Sequence, residues 1–344
     1  MKASYFKYSL KFKQPSGTSR GVLTEKETWF IVLEDNEKKG VGECGILRGL
    51  SVDDRVDYEE KLKWTCENIH LGEEKLWQEL IEFPSIQFGV EMAFLSLRSK
   101  NPFELFPSEF LSGEKSIEIN GLVWMGDEVF MKRQIEEKIA QGFGCIKMKI
   151  GAIDFDKELG LLRFIRQNFD EKTIEIRVDA NGAFNEDEAL DKINQLSGFK
   201  LHSIEQPIQK NHTDTMSVLC KNTNLPIALD EELIGVFSSS DKENLLQKIM
   251  PQYIILKPSF IGGFRGTLEW ISLAEKYNIG WWITSALESN VGLNAIAQFT
   301  FTLNTTIPQG LGTGSLYTNN FDCPLVVEKG QLWYKPNLKW NFTL

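Results

Sequence analysis

The spacing of hydrophobic and polar positions changes near residue 116 and divides the chain into two patterns. Before that point, residues 5–12 and 28–33 alternate as strands do, and a turn-rich segment at residues 14–21 separates them and predicts a mobile loop. A third strand is predicted at residues 39–43, and the apolar spacing over residues 51–97 is helical. Three strands followed by helices predict a small α+β unit.

From about residue 116 the pattern becomes a regular alternation of strands and helices. Helix boundaries are marked by Gly142 as a stop, Asp154 as an N-cap, and Asn185 with Glu188 as a capping box. The predicted strands cover residues 117–123, 145–150, 173–179, 201–205, 226–230, 253–257, 280–285 and, more weakly, 309–313. Eight strands alternating with helices over roughly 200 residues predict an α/β fold of the (β/α)8 TIM-barrel type.

A doubly wound sheet is the alternative α/β architecture for this alternation. It would need a glycine-rich phosphate-binding turn after its first strand, and the segment from Gly121 to Gly126 does not supply one. We therefore expect residues 1–115 to form an α+β capping domain and residues 116–318 to form the barrel. Residues 319–344 lose the barrel pattern and are expected to pack back on the capping domain.

Composition and charge narrow the class of function. Of the 344 residues 42% are hydrophobic and 25% charged, and the net charge of −10 argues against binding to nucleic acid or to an anionic membrane. The five cysteines are scattered and form no CxxC pair, and the N-terminus has no apolar signal-peptide core. We expect a soluble cytoplasmic protein that acts on a small molecule, while the sequence leaves the oligomeric state open.

One short strand carries two cations on a single face. Ile146, Met148 and Ile150 alternate with Lys147 and Lys149, so both lysines point to the same side. Two ammonium groups in a barrel interior would be costly without a functional reason, and a second cation lowers the pKa of a lysine toward that of a usable base. The alternative is an exposed edge strand with solvated lysines.

Charged residues also end the strands that follow. Because the carboxyl ends of barrel strands meet at one face, these side chains are expected to converge there. The residues are Lys147, Lys149, Asp179, Glu205, Asp230 and Lys257. Taken singly, Asp179 could be a turn residue and Asp230 a helix N-cap. Together, three carboxylates between lysines suit a hard divalent cation such as Mg²⁺.

The motifs at these positions resemble those of the enolase superfamily. They read Lys-Met-Lys, Arg-Val-Asp-Ala-Asn, Ile-Glu-Gln-Pro, Leu-Asp-Glu and Leu-Lys-Pro in this order, and are similar to the muconate-lactonizing-enzyme-like branch. The resemblance implies that Asp179, Glu205 and Asp230 bind Mg²⁺, or another hard cation such as Mn²⁺. It also implies that Lys149 and Lys257 act from opposite faces of a carboxylate substrate. Lys147 would then lower the pKa of Lys149.

Two later segments make the implied reaction more specific. The segments that begin at Thr284 and Gln309 resemble the subgroup that dehydrates 2-succinyl-6-hydroxy-2,4-cyclohexadiene-1-carboxylate to 2-succinylbenzoate, a hydro-lyase step of menaquinone biosynthesis. An N-acylamino acid racemase remains an alternative. A dipeptide epimerase is less favoured, because residues 310–314 lack the Asp-x-Asp that binds the peptide amine. A non-catalytic relative would be expected to have lost some of the lysines or carboxylates.

Several further side chains are candidates for substrate binding or for the barrel floor. Arg20 could meet a substrate carboxylate when the cap closes. Ser285, Glu288 and Ser289 follow the seventh strand and are candidates for substrate contact, although Glu288 and Ser289 could instead support the residues that make it. Arg177 is expected either to contact substrate or to pair with Glu175 in the floor. No histidine ends the seventh strand, and strand periodicity turns His202 outward, so chemistry with a histidine base is not expected.

Overall fold

The computed structural model describes residues 1–18 and 21–343 of the chain. The first unit contains β1 (Lys2–Thr18), β2 (Gly21–Asp35), β3 (Lys38–Gly45), α1 (Tyr58–Glu67), α2 (Gly72–Glu79) and α3 (Pro84–Arg98). The strands form an antiparallel sheet in the order β1-β2-β3, and α3 packs on β2 and β3. The close approach of α3 to the sheet requires glycine in β3, since a Cβ on Gly42 would lie 1.8 Å from the carbonyl oxygen of Gly89.

The first hairpin is longer than the turn residues predict. The loop expected at residues 14–21 is wrong for residues 14–18, because β1 continues through them. The register shifts between Lys11 and Ser16, and pairing then resumes with Ser16 opposite Leu23. From Ser16 to Thr18 the backbone pairs with β2 again, so the turn preference of these residues does not end the strand.

Strands and helices alternate over the second unit. Its elements are β4 (Ile117–Glu118), β5 (Gly121–Val123), α4 (Glu128–Ala140), β6 (Cys145–Lys149), α5 (Phe155–Asn168), β7 (Glu175–Asp179), α6 (Glu186–Ser197), β8 (Ser203–Glu205), α7 (Thr213–Asn222), β9 (Ile227–Leu229), α8 (Ser239–Ile249), β10 (Tyr253–Leu256), α9 (Pro258–Ile261), α10 (Gly263–Lys276), β11 (Gly280–Ile283) and α11 (Asn290–Thr302). The strands from β5 to β11 form one parallel sheet in sequence order. This confirms the predicted α/β barrel architecture.

A short backbone link closes the ring where the eighth strand was expected. Gln309 pairs with Ile119 and Gly310 with Thr284, both as isolated parallel bridges. The Asn120 amide donates to the Gln309 carbonyl at 3.0 Å and the Gly310 amide to the Ile283 carbonyl at 2.8 Å. The expected strand at residues 309–313 is thus only a two-residue connection in the structure.

The helix boundaries follow the predicted capping residues. Gly142 adopts a φ of +79° directly after α4, and the Asp154 side chain accepts a hydrogen bond from the Asp156 amide before α5. Asn185 and Glu188 form both bonds of the capping box of α6. These local signals set the lengths of the helices and therefore the places where the strands restart.

The C-terminal residues contact both units. β12 (Leu325–Glu328) and β13 (Gln331–Tyr334) form a sheet with β4. Phe321 and Phe342 pack against Phe30 of β2, with ring centroids 5.6 and 5.1 Å apart. The domain limits drawn from the sequence stay a prediction. No helix in residues 1–18 or 21–343 has the length and apolar character that crossing a bilayer requires.

Candidate active site

Three neighbouring strands place charged side chains side by side at their carboxyl ends. The register pairs Lys149 of β6 with Asp179 of β7, and Asp179 with Glu205 of β8. Asp230 directly follows β9 and Lys257 directly follows β10. The side chains of Asp179, Glu205 and Asp230 are at most 2% exposed. The sequence therefore brings the predicted acidic residues into the barrel interior at one end.

Each carboxylate of this group is in contact with a lysine. Lys147 Nζ donates to Glu205 Oε2 at 2.6 Å and lies 3.0 Å from Asp179 Oδ2. Lys149 Nζ donates to Asp179 Oδ2 at 3.1 Å, and Lys257 Nζ donates to Asp230 Oδ2. Three ammonium groups thus balance three carboxylates inside the barrel mouth.

Burial and the neighbouring charges together shift the pKa values of these groups. Burial lowers the pKa of Lys147, but the carboxylates of Asp179 and Glu205 outweigh it, so the pKa lies above the ordinary lysine value. Burial, followed by the Asp179 carboxylate, raises the pKa of Glu205 above its usual range. At Asp179 burial is overcome by Lys147 and Lys149, which hold its pKa low. The cluster therefore needs positive charge to keep its carboxylates ionised.

Lys149 and Lys257 come from opposite walls of the barrel. Their strands, β6 and β10, are separated by β7, β8 and β9 in the sheet. Four steps around an eight-membered ring correspond to its diameter. Lys149 contacts Asp179 on its side, whereas Lys257 contacts Asp230 on the other. A planar group bound between them would have one amine on each face.

The acidic residues have the chemistry of a hard-cation site. Within residues 1–18 and 21–343, no three or more His, Cys, Asp or Glu side chains lie close enough together to hold a metal ion as they stand. Lysine ammonium groups bridge or contact the carboxylates instead. However, Glu205 Oε1 is buried and has no hydrogen-bond partner among the described residues. Glu205 Oε1 is therefore available as an oxygen ligand. The neighbouring Asp179 and Asp230 carboxylates raise the pKa of Glu205, and a divalent cation bound among the three would offset their negative charge.

A cavity opens above the charged cluster and is roofed by the capping domain. Lys147, Lys149, Asp179 and Lys257 line its base, and Ser285 lines its wall. The roof consists mainly of apolar residues of β2 and of the segment after β3, among them Val22, Leu23, Leu47 and Leu50. The Ser285 hydroxyl is 2.6 Å from that of Thr313. An apolar space above a charged base suits an amphipathic carboxylate.

Two of the residues expected to contact substrate lie elsewhere. Glu288 and Ser289 are fully buried and do not line the cavity, because their side chains bond to neighbouring backbone and to the capping domain. The expectation that they contact substrate is corrected accordingly. Arg20 lies outside the described residues, and its expected contact with a substrate carboxylate stays a prediction.

Some residues at the cavity were missed by the sequence reasoning. Asn181 Oδ1 accepts a hydrogen bond of 2.6 Å from Lys149 Nζ, and Trp124 lies with its ring centroid 6.0 Å from that same amine. Arg48 of the capping domain also lines the cavity. Asn181 belongs to the Arg-Val-Asp-Ala-Asn motif, which was a usable signal. Trp124 and Arg48 carry no comparable pattern.

The floor of the barrel settles two further expectations. Arg177 Nε donates to Glu175 at 2.7 Å and its Nη1 to the Pro308 carbonyl at 2.8 Å, so Arg177 belongs to the floor and not to the cavity. His202 was expected to turn outward, and this is wrong. Its ring lies 4.7 Å from that of Tyr253 and 5.9 Å from that of Trp282, the ring that also stacks on Arg177 of the floor. Burial, with Arg177 nearby, lowers the pKa of His202 to about 4.

Family models match both parts of the chain. A family described as "Enolase C-terminal domain-like" matches residues 130–336, and one described as "MenC, N-terminal domain" matches residues 1–97. The two matches together cover most of the capping unit and the barrel from α4 onward.

Individual relatives agree with these family matches. The chain is 47% identical to an o-succinylbenzoate synthase of Desulfotalea psychrophila, over 96% of this chain and 98% of that protein. The crystal structure of MenC from this organism superposes with a TM-score of 0.86 at 43% identity, covering 97% of this chain and 99% of that one. An L-Ala-D/L-Glu epimerase of Francisella tularensis is 26% identical over 64% of this chain and 61% of its own length.

Proposed function

Because the chain belongs to the enolase superfamily and, within it, to the family of o-succinylbenzoate synthases, we propose that it dehydrates 2-succinyl-6-hydroxy-2,4-cyclohexadiene-1-carboxylate to 2-succinylbenzoate. This is a hydro-lyase reaction of menaquinone biosynthesis. The single observation that carries the proposal is the pair of lysines on opposite walls, with buried carboxylates between them. That arrangement suits removal of a proton next to a carboxylate.

Lys149 is the proposed base. It would take the proton α to the ring carboxylate and return it to the departing hydroxyl, so that the C–H and C–O bonds break and water leaves. Asn181 and Asp179 bond to its amine and orient it toward the cavity. Lys257 faces the other side of the ring, where its charge stabilises the negative charge that develops on the carboxylate. Lys147 supports the carboxylates by pairing with Glu205 and Asp179.

Asp179, Glu205 and Asp230 are the proposed ligands of a divalent cation, for which Mg²⁺ is the first candidate and Mn²⁺ the second. When bound, such a cation would supply positive charge that offsets the two negative charges of an enediolate. The three residues are buried, carry only oxygen donors, and end consecutive strands. The free oxygen of Glu205 supports this assignment.

The remaining alternatives fit less well. Dipeptide epimerases would need a carboxylate pair near residue 312, and the segment contributes Gly310, Gly312 and Thr313 to the cavity instead. N-acylamino acid racemisation requires the same two lysines and is not disfavoured by any cavity residue. It is therefore the second candidate activity.

The test is incubation of the purified protein with the cyclohexadiene substrate, followed by absorbance of the aromatic product. We expect product in the presence of Mg²⁺ and loss of turnover after chelation, with recovery when Mg²⁺ is restored. A parallel incubation with an N-succinylamino acid, followed by optical rotation, measures the second activity. Absence of aromatic product from the folded, Mg²⁺-supplied protein would contradict the proposal.

A further inference from the structure

A lysine of the capping sheet buries its amine where the cap meets the barrel. Lys26 of β2 is only 3% exposed, and its Nζ has no hydrogen-bond partner among the described residues. A buried ammonium group is strongly unfavourable unless nearby negative charge compensates it. Lys26 does not line the cavity, so the substrate would not supply that charge.

The surroundings of Lys26 contain two buried glutamates from different units. A Cβ built on Gly45 would lie 2.5 Å from Lys26 Nζ and 3.1 Å from the Thr28 hydroxyl, which itself donates to Glu43 at 2.9 Å. A Cβ on Gly292 would lie 2.7 Å from Glu43 Oε2 and 2.9 Å from the Cβ of Glu288. The glycines therefore make room for a compact interdomain cluster of one cation and two acids.

Glu288 joins the two turns that follow β10 and β11. Its Oε1 accepts a hydrogen bond of 2.6 Å from the Ser259 hydroxyl, and its Oε2 accepts one of 2.7 Å from the Ala286 amide. Ser259 lies two residues after Lys257, while Ala286 lines the cavity beside Ser285. One side chain thus ties the segment that carries Lys257 to the cavity wall.

The negative charge of Glu288 strengthens both bonds. Burial raises the pKa of the Glu288 carboxyl, and Lys26 is the strongest influence that lowers it. A carboxylate accepts charge-assisted bonds from both donors, whereas a protonated carboxyl can keep Ser259 only by donating to its hydroxyl oxygen, and both bonds are then weaker. The Lys26 ammonium of the capping sheet therefore favours the ionised form of Glu288, which holds the turns after β10 and β11 more firmly.

We infer that Lys26 is a positioning residue: docked with the capping sheet, it holds Glu288 as a carboxylate, and Glu288 fixes Lys257 and the cavity wall. The inference rests on the proposed function, because it concerns the same reaction. Glu43 has a separate task, since it accepts hydrogen bonds from the Ser289 and Gly292 amides at the start of α11. These bonds of Glu43 would keep the capping sheet docked on the barrel when Lys26 is changed.

The test compares Lys26→Met, Glu288→Gln and the double variant with the wild type. Lys242→Met is the matched control, because Lys242 is also a nearly fully buried lysine, 2.7 Å from Glu269 on the outer helices. The readouts are kcat and KM for the dehydration, and hydrogen exchange of the Ala286 amide. The exchange readout needs no substrate, so it separates failure of this inference from failure of the proposed function.

For Lys26→Met we expect kcat to fall about tenfold to a hundredfold with a smaller change in KM, and the Ala286 amide to exchange faster. Lys242→Met should change neither. Adding Glu288→Gln to Lys26→Met should lower kcat little further, because both changes remove the same carboxylate. Simply additive losses, or an Ala286 amide that exchanges at the wild-type rate in Lys26→Met, would overturn the inference.

If Lys26→Met does not fold, Glu288→Gln and the double variant still decide the matter. Glu288→Gln alone leaves the Lys26 amine buried without its acid, so the double variant should be the more stable of the two in urea. A double variant that is less stable than Glu288→Gln would show that the two side chains are not coupled in this way, and would overturn the inference.

Discussion

The mouth and the floor of the barrel both bury cations, but they compensate them in different ways. Lys147 at the mouth and Arg177 at the floor are register partners on β6 and β7. Arg177 has one acidic partner and one carbonyl partner, and its guanidinium stacks 4.3 Å from the Trp282 ring centroid. Lys147 instead touches two carboxylates and borders the cavity.

This difference shows what distinguishes a reactive site from structural support. At the floor the cation is covered by an aromatic ring and by backbone, so nothing can approach it. At the mouth the charges are grouped, and they border a space large enough to admit a ligand. Buried charge alone therefore does not identify a functional site, whereas grouped charge bordering a cavity does.

The largest expected effect is at the mouth. Lys257→Ala should lower kcat for the dehydration by about 10³-fold, because it removes the charge that faces the developing enediolate from the second wall. The thermal midpoint is to be compared with Mg²⁺ present, since the cation would offset the Asp230 carboxylate that this change leaves without its lysine. Lys276→Ala, an exposed lysine at the end of α10, is the control and should retain wild-type turnover. Wild-type turnover of Lys257→Ala would contradict the claim that the buried charges at the mouth are catalytic whereas those at the floor are structural.

Glu205→Gln should weaken the cation site at the mouth. Loss of a proposed ligand should lower Mg²⁺ affinity by more than the roughly 100-fold that removing a supporting second-sphere partner costs. Calorimetric titration of Mg²⁺ measures this directly and does not depend on turnover. Glu175→Gln at the floor is the matched control, and its Mg²⁺ affinity should equal that of the wild type.

Arg177→Met should lower the stability of the fold and leave kcat for the dehydration largely unchanged. Removing the guanidinium takes the charged donor from Glu175, which among the described residues keeps only the Cys145 thiol, and removes the Arg177 bond to the Pro308 carbonyl, so we expect a loss of about 2 kcal/mol in the free energy of unfolding. This is below the loss for a fully buried pair, because Glu175 is partly exposed. Urea denaturation measures the loss. A fall in kcat for the folded variant comparable to that of Lys257→Ala would contradict the structural role of the floor.

Glu91 is a buried carboxyl group that hydrogen bonds to backbone amides, unlike the lysine-paired carboxylates at the barrel mouth, and it should make stability depend on pH. Glu91 of α3 accepts hydrogen bonds from the Phe264 and Arg265 amides, and burial raises its pKa to about 8. The folded state then binds a proton that the unfolded state releases near its ordinary value of 4.5. Stability from this group is therefore present at low pH and declines as the pH rises from about 5 to 8, by up to about 1.4 kcal/mol per pH unit.

Glu91→Gln isolates that contribution. The difference in unfolding free energy between the wild type and this variant should decrease as the pH rises through the same interval. Urea denaturation at about pH 5, 6, 7 and 8, which covers most of the interval between the unfolded and folded pKa values of Glu91, supplies the curve. A difference that does not change with pH would mean that Glu91 is ionised in the folded protein.

The parts that the sequence predicts well follow from local rules. Alternation along β6 places Lys147 and Lys149 on the inner face, and one strand–helix unit separates each following charged residue from the next. Capping residues such as Asp154 and Asn185 fix where helices begin. Fold class and the convergence of the charged strand ends can therefore be derived from one-dimensional patterns.

The parts that could not be predicted depend on contacts between distant segments. Glu43 and Ser289 are 246 positions apart in the chain, yet they hydrogen bond where the cap meets the barrel. Glu288 is assigned to substrate by its position after a strand, but its side chain turns toward Ser259. Within the described residues the eighth strand pairs only through Gln309 with Ile119 and through Gly310 with Thr284, and such pairing between segments apart in the chain is not visible in its own residues.

The most direct test of the account is the rate of aromatic product formation by Lys149→Ala at saturating Mg²⁺. The account predicts a fall of at least about 10³-fold relative to the wild type, while Mg²⁺ affinity measured by calorimetry stays close to normal. Near-wild-type product formation by this variant would contradict the assignment of Lys149 as the base.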